Sequence, residues 1–475
     1  MKFEYFNDVE LEKMHEATVE ILKRIGISTT STRLKELLLD NGCKEKGERI
    51  VFPEDVIDKA LKTVPPKFNI YGRNGCDLVI EMGERKAYAE VVVGPPSIID
   101  LDNCERRDVS IKDVGDFAKL ADALENIHIV SPIFPRDVPQ ELIVTMETVA
   151  ILRNTSKPQR ICVESSHELP YIIEVLAAAA GGMDALRKRP IAYLEISTIS
   201  PLNSAFHPAE ALIDIVEAGL PLGIVPCPMM GGTGPITLAG CVAQHNAEIL
   251  SSVIASQLLK PGAPVVMSPR VTFMDMKTGL GLWAMPEQGL AAAASAQLAK
   301  YYNIPSTVTG YSCAAKTADA QSGYEHLYNA LLPALIGVDV LAAAGSLDNC
   351  LLSCYAMLVI DDELSSVIQR TLKGSEVNED TLAIDVIEEV INTKGTFLSH
   401  KHTRRHLHAG ELWVPPIGDR SSYENWAIKK QKLEDKAREK AKELLATHEV
   451  VPLTPEADEE IDEILKRAQK EFNLI

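Results

Sequence analysis

Carboxylates stand at or just past the ends of several β-type runs in the middle of the chain. They are Glu164, Glu195 and Asp348. Two acids that face one cavity can carry out acid–base chemistry or attract a cation. Buried ion pairs are an equally good interpretation, and the candidate partners are Arg160, Arg187 and Arg270. The pattern therefore predicts either a charged site or structural ion pairs.

Aromatic residues are rare, at 5% of the chain, so those near the ends of the β-type runs stand out. They are Phe134, Tyr193, Phe206, Phe273, Trp283, Tyr311 and Tyr355. Aromatic faces around a cavity would suit a quaternary ammonium group, although each ring taken singly is typical of plain core.

A glycine-rich turn follows the fourth run and contains Gly231 and Gly232. Glycines let a flat ligand approach the backbone, and free N–H groups at a helix start can meet an anion. A tight strand-to-helix turn explains the glycines equally well. The chain has no Gly-Lys-Ser/Thr phosphate loop here and no G-x-S-x-G nucleophile motif.

Four histidines cluster between residues 400 and 408, and His402 and His406 could share one helix face as in a zinc site. The motif lacks the neighbouring glutamate of a zincin, and two arginines inside it oppose a bound cation. We therefore expect a capped surface helix and no metal.

The elements that would position these residues recur at even spacing. The β-type runs are Ile127–Ile133, Arg160–Glu164, Ile191–Ile196, Leu222–Pro226, Pro264–Pro269, Ser306–Thr309 and Asp339–Leu341. Their starts lie about 30 to 42 residues apart, enough for a strand, a crossover helix and two loops. The spacing predicts an α/β fold, a (β/α)8 barrel of TIM type, whose site lies at the C-terminal ends of the strands.

Additions are expected at both ends of the barrel. Residues 1–105 are predicted to form helices and a small sheet packed on the barrel, with the stretch Lys67–Asp102 able to supply its first strand. Residues 106–395 are the predicted barrel core, and residues 396–475 a further segment ending in charged helices. The net charge of −19 disfavours nucleic acid and anionic membranes as partners. No apolar run approaches a membrane span and no signal peptide is evident, so a cytoplasmic protein is expected.

Three segments carry a more specific signal. They are the N-terminal pattern Leu11–Leu22 with His15 and Thr18, the loop Thr309–Glu325 with Lys316 and Asp319, and the tail Gly395–Thr403 continuing through Trp413, Pro415, Asp419 and Trp426. Together they resemble the trimethylamine:corrinoid methyltransferase family over essentially the whole chain. Founding members carry pyrrolysine in the barrel, whereas this chain has standard residues only. It therefore resembles the branch that acts on quaternary amines such as glycine betaine, proline betaine or carnitine.

The resemblance implies an SN2 transfer of one N-methyl group to Co(I) of cobalamin, which a separate corrinoid protein carries. It also implies a homo-oligomer and no metal of the chain's own. A quaternary ammonium is already charged, so the departing amine needs no proton. The protein would supply orientation and a dry site for a cation.

Residue roles follow from that implied geometry. Phe134, Phe273, Tyr311 and Tyr355 are candidates for an aromatic cage. Glu164 or Glu195 would add a counter-charge, and Arg270 would hold the substrate carboxylate. Gly231, Gly232 and Gly310 would let the macrocycle come close. No catalytic side chain is expected, because cobalt attacks the methyl group directly.

Two other functions stay open on the sequence. One is a metal-assisted barrel hydrolase built on Glu164, Glu195 and the histidines, which predicts stoichiometric zinc. The other is a non-catalytic betaine-binding protein that kept the barrel and transfers nothing.

Overall fold

The computed structural model describes residues 3–73 and 76–474, with the backbone alone at Met285. Its α-helices are α1 (Asp8–Arg24), α2 (Thr32–Asp40), α3 (Glu54–Leu61), α4 (Ile111–Ala123), α5 (Ile143–Asn154), α6 (Leu169–Ala180), α7 (Met183–Lys188), α8 (Phe206–Ala218), α9 (Leu238–Leu259), α10 (Met285–Tyr302), α11 (Ala320–Ile336), α12 (Tyr355–Lys373), α13 (Glu379–Leu382), α14 (Ile384–Thr393), α15 (Lys401–His408), α16 (Tyr423–Lys429), α17 (Leu433–Thr447) and α18 (Pro455–Glu471). Short 3-10 helices span Gln140–Leu142 and Phe397–Ser399.

The β-strands are mostly short. They are β1 (Ser28–Thr29), β2 (Lys44–Lys46), β3 (Arg49–Val51), β4 (Phe68–Tyr71), β5 (Val79–Met82), β6 (Tyr88–Val91), β7 (Ser97–Ile99), β8 (Arg106–Asp108), β9 (Gln159–Cys162), β10 (Ala192–Ile196), β11 (Asn203–Ser204), β12 (Leu222–Ile224), β13 (Met229–Met230), β14 (Val265–Met267), β15 (Thr272–Met274), β16 (Gly281–Leu282), β17 (Thr307–Thr309), β18 (Val340–Ala344), β19 (Ser346–Leu347) and β20 (Leu352–Cys354).

Parallel strands close into a ring of eight positions. β6 pairs with β18 and β18 with β17, while β14, β12, β10 and β9 form a second parallel group. A parallel bridge from Met267 to Ser306 joins the two groups on one side. On the other side, Val130 bridges to Gln159 and Ile129 to Glu90. The predicted (β/α)8 barrel is confirmed.

The sequence pattern locates these strands well. Six of the seven predicted runs overlap a barrel strand of the structure, namely β9, β10, β12, β14, β17 and β18. The run Ile127–Ile133 forms only the two parallel bridges at Ile129 and Val130. The first strand, β6, lies inside the stretch Lys67–Asp102 that was expected to supply it.

Helices cover the outside of the barrel, and their starts show why they form. Asp113 and Ser110 make a reciprocal capping box at α4. Asp319 caps α11 by accepting hydrogen bonds from the backbone N–H groups of Gln321 and Ser322, as its position predicted. The strands are buried on both faces, as in β18, where all residues are buried, so the barrel core is continuous with the helical layer.

The terminal additions pack on this outer layer. α1, α2 and α3 lie against α9, α17 lies against α12 and α4, and α18 lies against α6. The domain limits at residues 105 and 395 stay a prediction. In the part of the chain that the structure describes, no helix is long and apolar enough to cross a bilayer.

Candidate active site at the barrel mouth

A cavity of about 210 Å³ opens at the C-terminal ends of the barrel strands. Its lining comes from nearly every strand and the turn that follows it: Val92, Val93, Arg160, Cys162, Val163, Glu164, Glu195, Ser197, Val225, Cys227, Arg270, Trp283, Thr309, Ala342, Ala343 and Cys350. Sites for drug-sized ligands usually measure about 300–1,000 Å³. The size therefore favours a small substrate.

A buried ion network forms one wall of the cavity. Arg160 Nη1 lies 2.8 Å from Glu90 Oε1, and Arg160 Nε donates to Glu195 Oε2 at 2.6 Å. The hydroxyl of Tyr193 donates to the other oxygen of Glu90 at 2.5 Å. Burial alone would lower the pKa of Arg160, but the carboxylate of Glu195 raises it well above its usual value. Two carboxylates thus surround one fixed guanidinium, and their excess negative charge also raises the pKa of the nearby Arg270 against the effect of burial.

Glu195 keeps one oxygen free for a ligand. Its Oε1 is buried and accepts no hydrogen bond from any described residue. Gly223, on the adjacent strand, makes room for this side chain, because a Cβ there would lie 3.0 Å from Glu195 Cγ. Glu195 therefore forms a buried ion pair with Arg160 and also lines the cavity, which are the two alternatives expected for this acid.

Arg270 is a buried guanidinium whose donors are only partly used. Nη1 donates to the carbonyl oxygens of Thr307 at 2.8 Å and Pro269 at 3.0 Å, and Nη2 reaches Thr307 Oγ1 at 3.3 Å. Among the described residues, none of the ion pairs involves Arg270. Burial lowers its pKa, and the charge of Arg160 acts in the same direction. A buried cation with unused donors is costly unless an anion joins it.

His245 fixes the backbone of Arg270. Nε2 of His245, as a neutral imidazole, lies 3.1 Å from the backbone nitrogen of Arg270 and 3.3 Å from the carbonyl oxygen of Pro226. Burial lowers the pKa of His245 to about 3, in keeping with this state.

Glu164 is the third acid of the cavity. It is solvent-exposed through the mouth, and it makes no hydrogen bond or ion pair within the described part of the chain. Its surroundings raise its pKa, first through partial burial and then through the charge of Glu195. It is a carboxylate without a protein partner, on the opening side of the site.

Apart from the charged side chains, most of the cavity lining consists of valine, alanine and cysteine residues. Trp283 is the one aromatic residue among the lining residues, and its backbone N–H donates to Asn349 Oδ1 at 3.1 Å. Burial raises the pKa of the Cys350 thiol to about 12 and that of the Cys162 thiol well above its usual value. The thiols therefore stay neutral and are poor nucleophiles at neutral pH.

The four aromatic residues predicted to form a cage do not line this cavity, and this expectation is corrected. Tyr311 is fully buried, and its hydroxyl lies 2.7 Å from Ser365 Oγ on α12. Tyr355 begins α12, and its hydroxyl donates to Asp113 Oδ1 at 3.2 Å. Both rings point into the layer between barrel and helices.

The two phenylalanines also lie elsewhere. Phe134 packs at the edge of the large core cluster, with the Arg136 guanidinium 5.9 Å from its ring centroid. Phe273 belongs to β15 and packs against the cluster that contains Leu11 and Met14 from α1. The structure does not bring these four rings together.

The three glycines predicted to lie close to the macrocycle occupy two different environments. Gly231 and Gly232 lie in an exposed turn, where Gly231 has a φ of +81° and the side chains of Met229, Met274 and Met276 pack close by. Gly310 is buried, and a Cβ there would lie 3.0 Å from Leu341 Cβ. The first pair is accessible from outside the barrel, whereas Gly310 serves close packing of two strands.

The histidine segment forms a capped helix, α15, as predicted. His400 caps it by accepting from the His402 N–H. Asp380 joins His402 and His406 in a group whose ligand-type atoms lie within 4.8 Å of one another. However, Asp380 already forms ion pairs with Arg405 and His406. None of these residues lines the barrel cavity, so no observation favours the hydrolase alternative.

Several site residues escaped the sequence analysis or were given lesser roles in it. Glu90 was missed, although a charged residue inside the apolar run Ala87–Val93 was a usable signal. His245 sits inside a long apolar helix, where no pattern marks it. Trp283 was one of seven strand-end aromatics, and nothing in the spacing set it apart.

An α/β barrel with a small charged cavity at the strand ends defines an enzyme-type site, and comparison with known proteins gives the family. Residues 1–473 match the family model described as trimethylamine methyltransferase (MTTB). A trimethylamine methyltransferase of Desulfitobacterium hafniense (strain DSM 10664 / DCB-2) is 32% identical, over 99% of this chain and 95% of its own. A glycine betaine methyltransferase of Desulfitobacterium hafniense (strain Y51) is also 32% identical, over 99% of this chain and 98% of its own.

Solved structures agree on the fold. The monomethylamine methyltransferase of Methanosarcina barkeri superposes with a TM-score of 0.55 at 16% identity, covering 98% of this chain and 88% of its own. The chain belongs to the trimethylamine methyltransferase family, as its motifs predicted. The predicted enzyme class, a methyltransferase, is confirmed.

Proposed function

We propose that this protein transfers a methyl group from a carboxylated quaternary amine, of the glycine betaine, proline betaine or carnitine kind, to a corrinoid carried by a separate protein. The observation that carries the proposal is the pair of unpartnered charges in one small cavity. Arg270 is a buried cation that takes part in none of the ion pairs of the described residues, and Glu164 is a cavity-lining acid that likewise takes part in none.

The charges of the cavity complement a zwitterion. Arg270 can hold a carboxylate bidentately through its unused donors. Glu164 and the free oxygen of Glu195 would face the trimethylammonium head, and Trp283 supplies the aromatic surface that such a head prefers. Trimethylamine has no carboxylate, so it would leave the unused donors of Arg270 without an acceptor. One relative of this chain is named a glycine betaine methyltransferase, which also supports the proposal.

For this reaction the protein must orient the substrate and keep water away from it, and it need not transfer a proton. The corrinoid supplies the cobalt nucleophile. With the carboxylate held at Arg270, deep in the barrel, one methyl group would point out through the mouth along the line of attack. The neutral thiols of Cys162 and Cys350 are poor competing nucleophiles, and valine and alanine side chains line the wall beside them.

The outer rim of the mouth is suited to a protein partner. Large apolar side chains stay exposed in loops and helix starts that follow the barrel strands: Ile199, Phe206, Ile236, Met276, Leu280, Tyr324 and Leu351. Exposed apolar side chains grouped around a site mark interaction surfaces. Gly231 and Gly232 lie on the same rim, and the flexible side chains of Met229, Met274 and Met276 that cover them would have to move for a flat macrocycle to reach the backbone. We assign this rim to the corrinoid protein.

Direct binding tests the substrate class. Isothermal titration with glycine betaine, carnitine and trimethylamine should show binding of at least one carboxylated quaternary amine and a much weaker response to trimethylamine. Equal affinity for trimethylamine and the betaines would contradict a site built for a zwitterion.

The Glu164→Gln variant should weaken binding of the quaternary ammonium and change its pH dependence. The pKa of Glu164 is raised, so its charge is present at high pH and lost as the pH falls through that raised value. The quaternary ammonium does not titrate. The affinity of the wild-type protein for the quaternary ammonium should therefore rise with pH, and the rise should fall at a pH above the ordinary pKa of a glutamate. The affinity of the variant should not change with pH in that range. An unchanged profile in Glu164→Gln would refute the role.

A substitution on the rim tests whether this surface binds the corrinoid protein, and its effect is measured separately from substrate binding. Leu280→Glu should raise the KM for the corrinoid protein by about tenfold or more, since one central apolar contact of an interface is worth about 1–2 kcal/mol or more. Betaine affinity should not change, because Leu280 lies outside the cavity lining. Val9→Glu, an exposed apolar residue on α1, is the matched control.

A further inference from the structure

Three consecutive residues beside the cavity adopt the left-handed backbone conformation that favours glycine. They are Asp348, Asn349 and Cys350, with φ values of +47°, +57° and +62°. In the described chain, no other two adjacent non-glycine residues share this conformation. Asparagine and aspartate adopt it more readily than other residues, whereas a cysteine does so only where the surrounding structure enforces it. Strain of this kind is concentrated at functional sites, so the turn requires an explanation.

The side chain of the middle residue connects the turn to the aromatic residue of the cavity. The turn joins β19 to β20, and within it Asn349 is buried while Cys350 lines the cavity. Asn349 Oδ1 accepts a hydrogen bond from the backbone N–H of Trp283 at 3.1 Å. The other two tryptophans each donate through the indole nitrogen, but Trp283 donates none to a described residue in this way. The place of the Trp283 ring therefore depends on its backbone, which Asn349 holds.

The loop that follows β17 holds the turn in its conformation. The Asp348 N–H donates to the carbonyl oxygen of Ala315 at 2.7 Å, and the Asn349 N–H donates to that of Cys313 at 2.7 Å. Lys316 Nζ lies 3.2 Å from Asp348 Oδ1. Two backbone donors of the strained turn and one of its side chains are thus bound to a single neighbouring loop.

Buried groups anchor this loop and the hairpin that carries the turn. The Ala314 N–H donates to Glu325 Oε2 at 2.7 Å, which ties the loop to α11. The Gly345 N–H donates to Asp361 Oδ2 at 2.7 Å, just before β19. The other oxygen of Asp361 lies 2.7 Å from His326 Nδ1, and both side chains are completely buried. The surroundings therefore determine the conformation of the turn from both sides, as a strained conformation requires.

We propose that Asn349 is a positioning residue that holds the Trp283 indole against the ammonium head of the substrate. The inference rests on the proposed function, because it requires a cation in the cavity. Asparagine suits the position for two reasons, since it tolerates the left-handed backbone and its amide oxygen accepts the Trp283 N–H. The loop 310–318, part of the segment that resembles the family, acts through Asn349 and does not need to touch the substrate.

Steady-state kinetics of two substitutions at one position test the proposal. Glycine adopts the left-handed conformation without strain but offers no acceptor, whereas aspartate keeps the acceptor and tolerates the conformation. Asn349→Gly should raise the KM for a carboxylated quaternary amine about tenfold, the effect of one weakened contact between a cation and an aromatic ring. Asn349→Asp should stay within about threefold of the wild-type KM, because the acceptor is kept.

The turnover number separates positioning from general damage to the site. The substrate nitrogen loses its positive charge as the methyl group departs, so the ring stabilises the bound substrate at least as well as the transition state. The kcat of Asn349→Gly should therefore stay within about twofold of the wild-type value. Asn303→Gly is the matched control, because Asn303 is another left-handed asparagine, at the end of α10 and outside the cavity lining. It should leave both constants unchanged.

Two further measurements show whether Asn349 acts through Trp283. In a Trp283→Leu background, Asn349→Gly should have no additional effect on KM, because the ring on which it acts is absent. In a Trp413→Phe/Trp426→Phe background, Trp283 is the only tryptophan. The saturable change in its fluorescence on addition of glycine betaine or carnitine should then require about tenfold more ligand in Asn349→Gly.

The outcomes distinguish a failure of this proposal from a failure of the proposed function. A wild-type KM in Asn349→Gly, an equal loss in Asn349→Asp, or an additional rise in KM in the Trp283→Leu background would overturn the positioning role while wild-type turnover stays intact. If the wild-type protein neither bound nor demethylated any carboxylated quaternary amine, the proposed function would be wrong, and the positioning role would be wrong with it.

Discussion

Replacing Arg270 with alanine is expected to lower kcat/KM for a carboxylated quaternary amine by about a hundredfold or more. Charge-assisted hydrogen bonds are worth about 1.5–3 kcal/mol each, and the substrate carboxylate would lose two of them. The loss should fall mainly on KM, because the carboxylate lies away from the reacting methyl group and is bound equally in the ground and transition states. Steady-state kinetics with the corrinoid acceptor in excess measure it.

Two controls separate this role from a structural one. Arg270→Lys keeps the charge but not the paired donors, so it should recover part of the affinity. A quaternary amine without a carboxylate, such as choline, should lose far less from Arg270→Ala than glycine betaine does. If both substrates lost activity equally, Arg270 would be a scaffold residue and the zwitterion site would be wrong.

Replacing Arg160 with alanine is expected to lower the free energy of unfolding by about 3–5 kcal/mol. Arg160 sits between Glu90 and Glu195, and all three side chains are almost completely buried. Its removal leaves two buried carboxylates without their cation, which costs far more than the net value of the ion pairs. Urea unfolding followed by far-UV circular dichroism measures the change.

Arg136→Ala serves as the matched control for Arg160, because Arg136 is exposed and takes part in none of the ion pairs of the described chain. It should change the unfolding free energy by less than about 0.5 kcal/mol. A loss below about 1 kcal/mol in Arg160→Ala would mean that the buried network does not hold the barrel wall.

The barrel could be predicted from the sequence because strand and helix alternate at a constant length. The run Ile127–Ile133 shows the limit of that reasoning, since its composition predicts a full strand but the structure has only bridges at Ile129 and Val130. Pairing depends on the neighbouring strands, and local propensity cannot count those hydrogen bonds.

The charged part of the site was partly predictable, and its aromatic part was not. Glu164 and Arg270 follow strands, Glu195 lies near the end of β10, and all three line the cavity at the expected end of the barrel. Parallel barrel strands are apolar on both faces, so the sequence does not show which side chain points inward. Thr309 lines the cavity, whereas Tyr311, two residues later, turns out toward α12.

The features of the site that the sequence did not predict depend on contacts between residues far apart in the chain. Asp380 meets the histidines of α15 from a different helix, and Glu90 meets Arg160 across seventy residues of chain. No local pattern encodes such pairs. The ring at the mouth, Trp283, comes from a turn between a short hairpin and α10, where spacing says nothing about orientation.

The most direct measurement follows the cobalamin spectrum. The protein is mixed with reduced Co(I) cobalamin or a reduced corrinoid protein, and glycine betaine, proline betaine, carnitine, choline and trimethylamine are offered in turn. We predict conversion to methylcobalamin with at least one carboxylated quaternary amine and none with trimethylamine. Methylation by trimethylamine and by none of the betaines would contradict the account, because the buried Arg270 would then have no anion to bind.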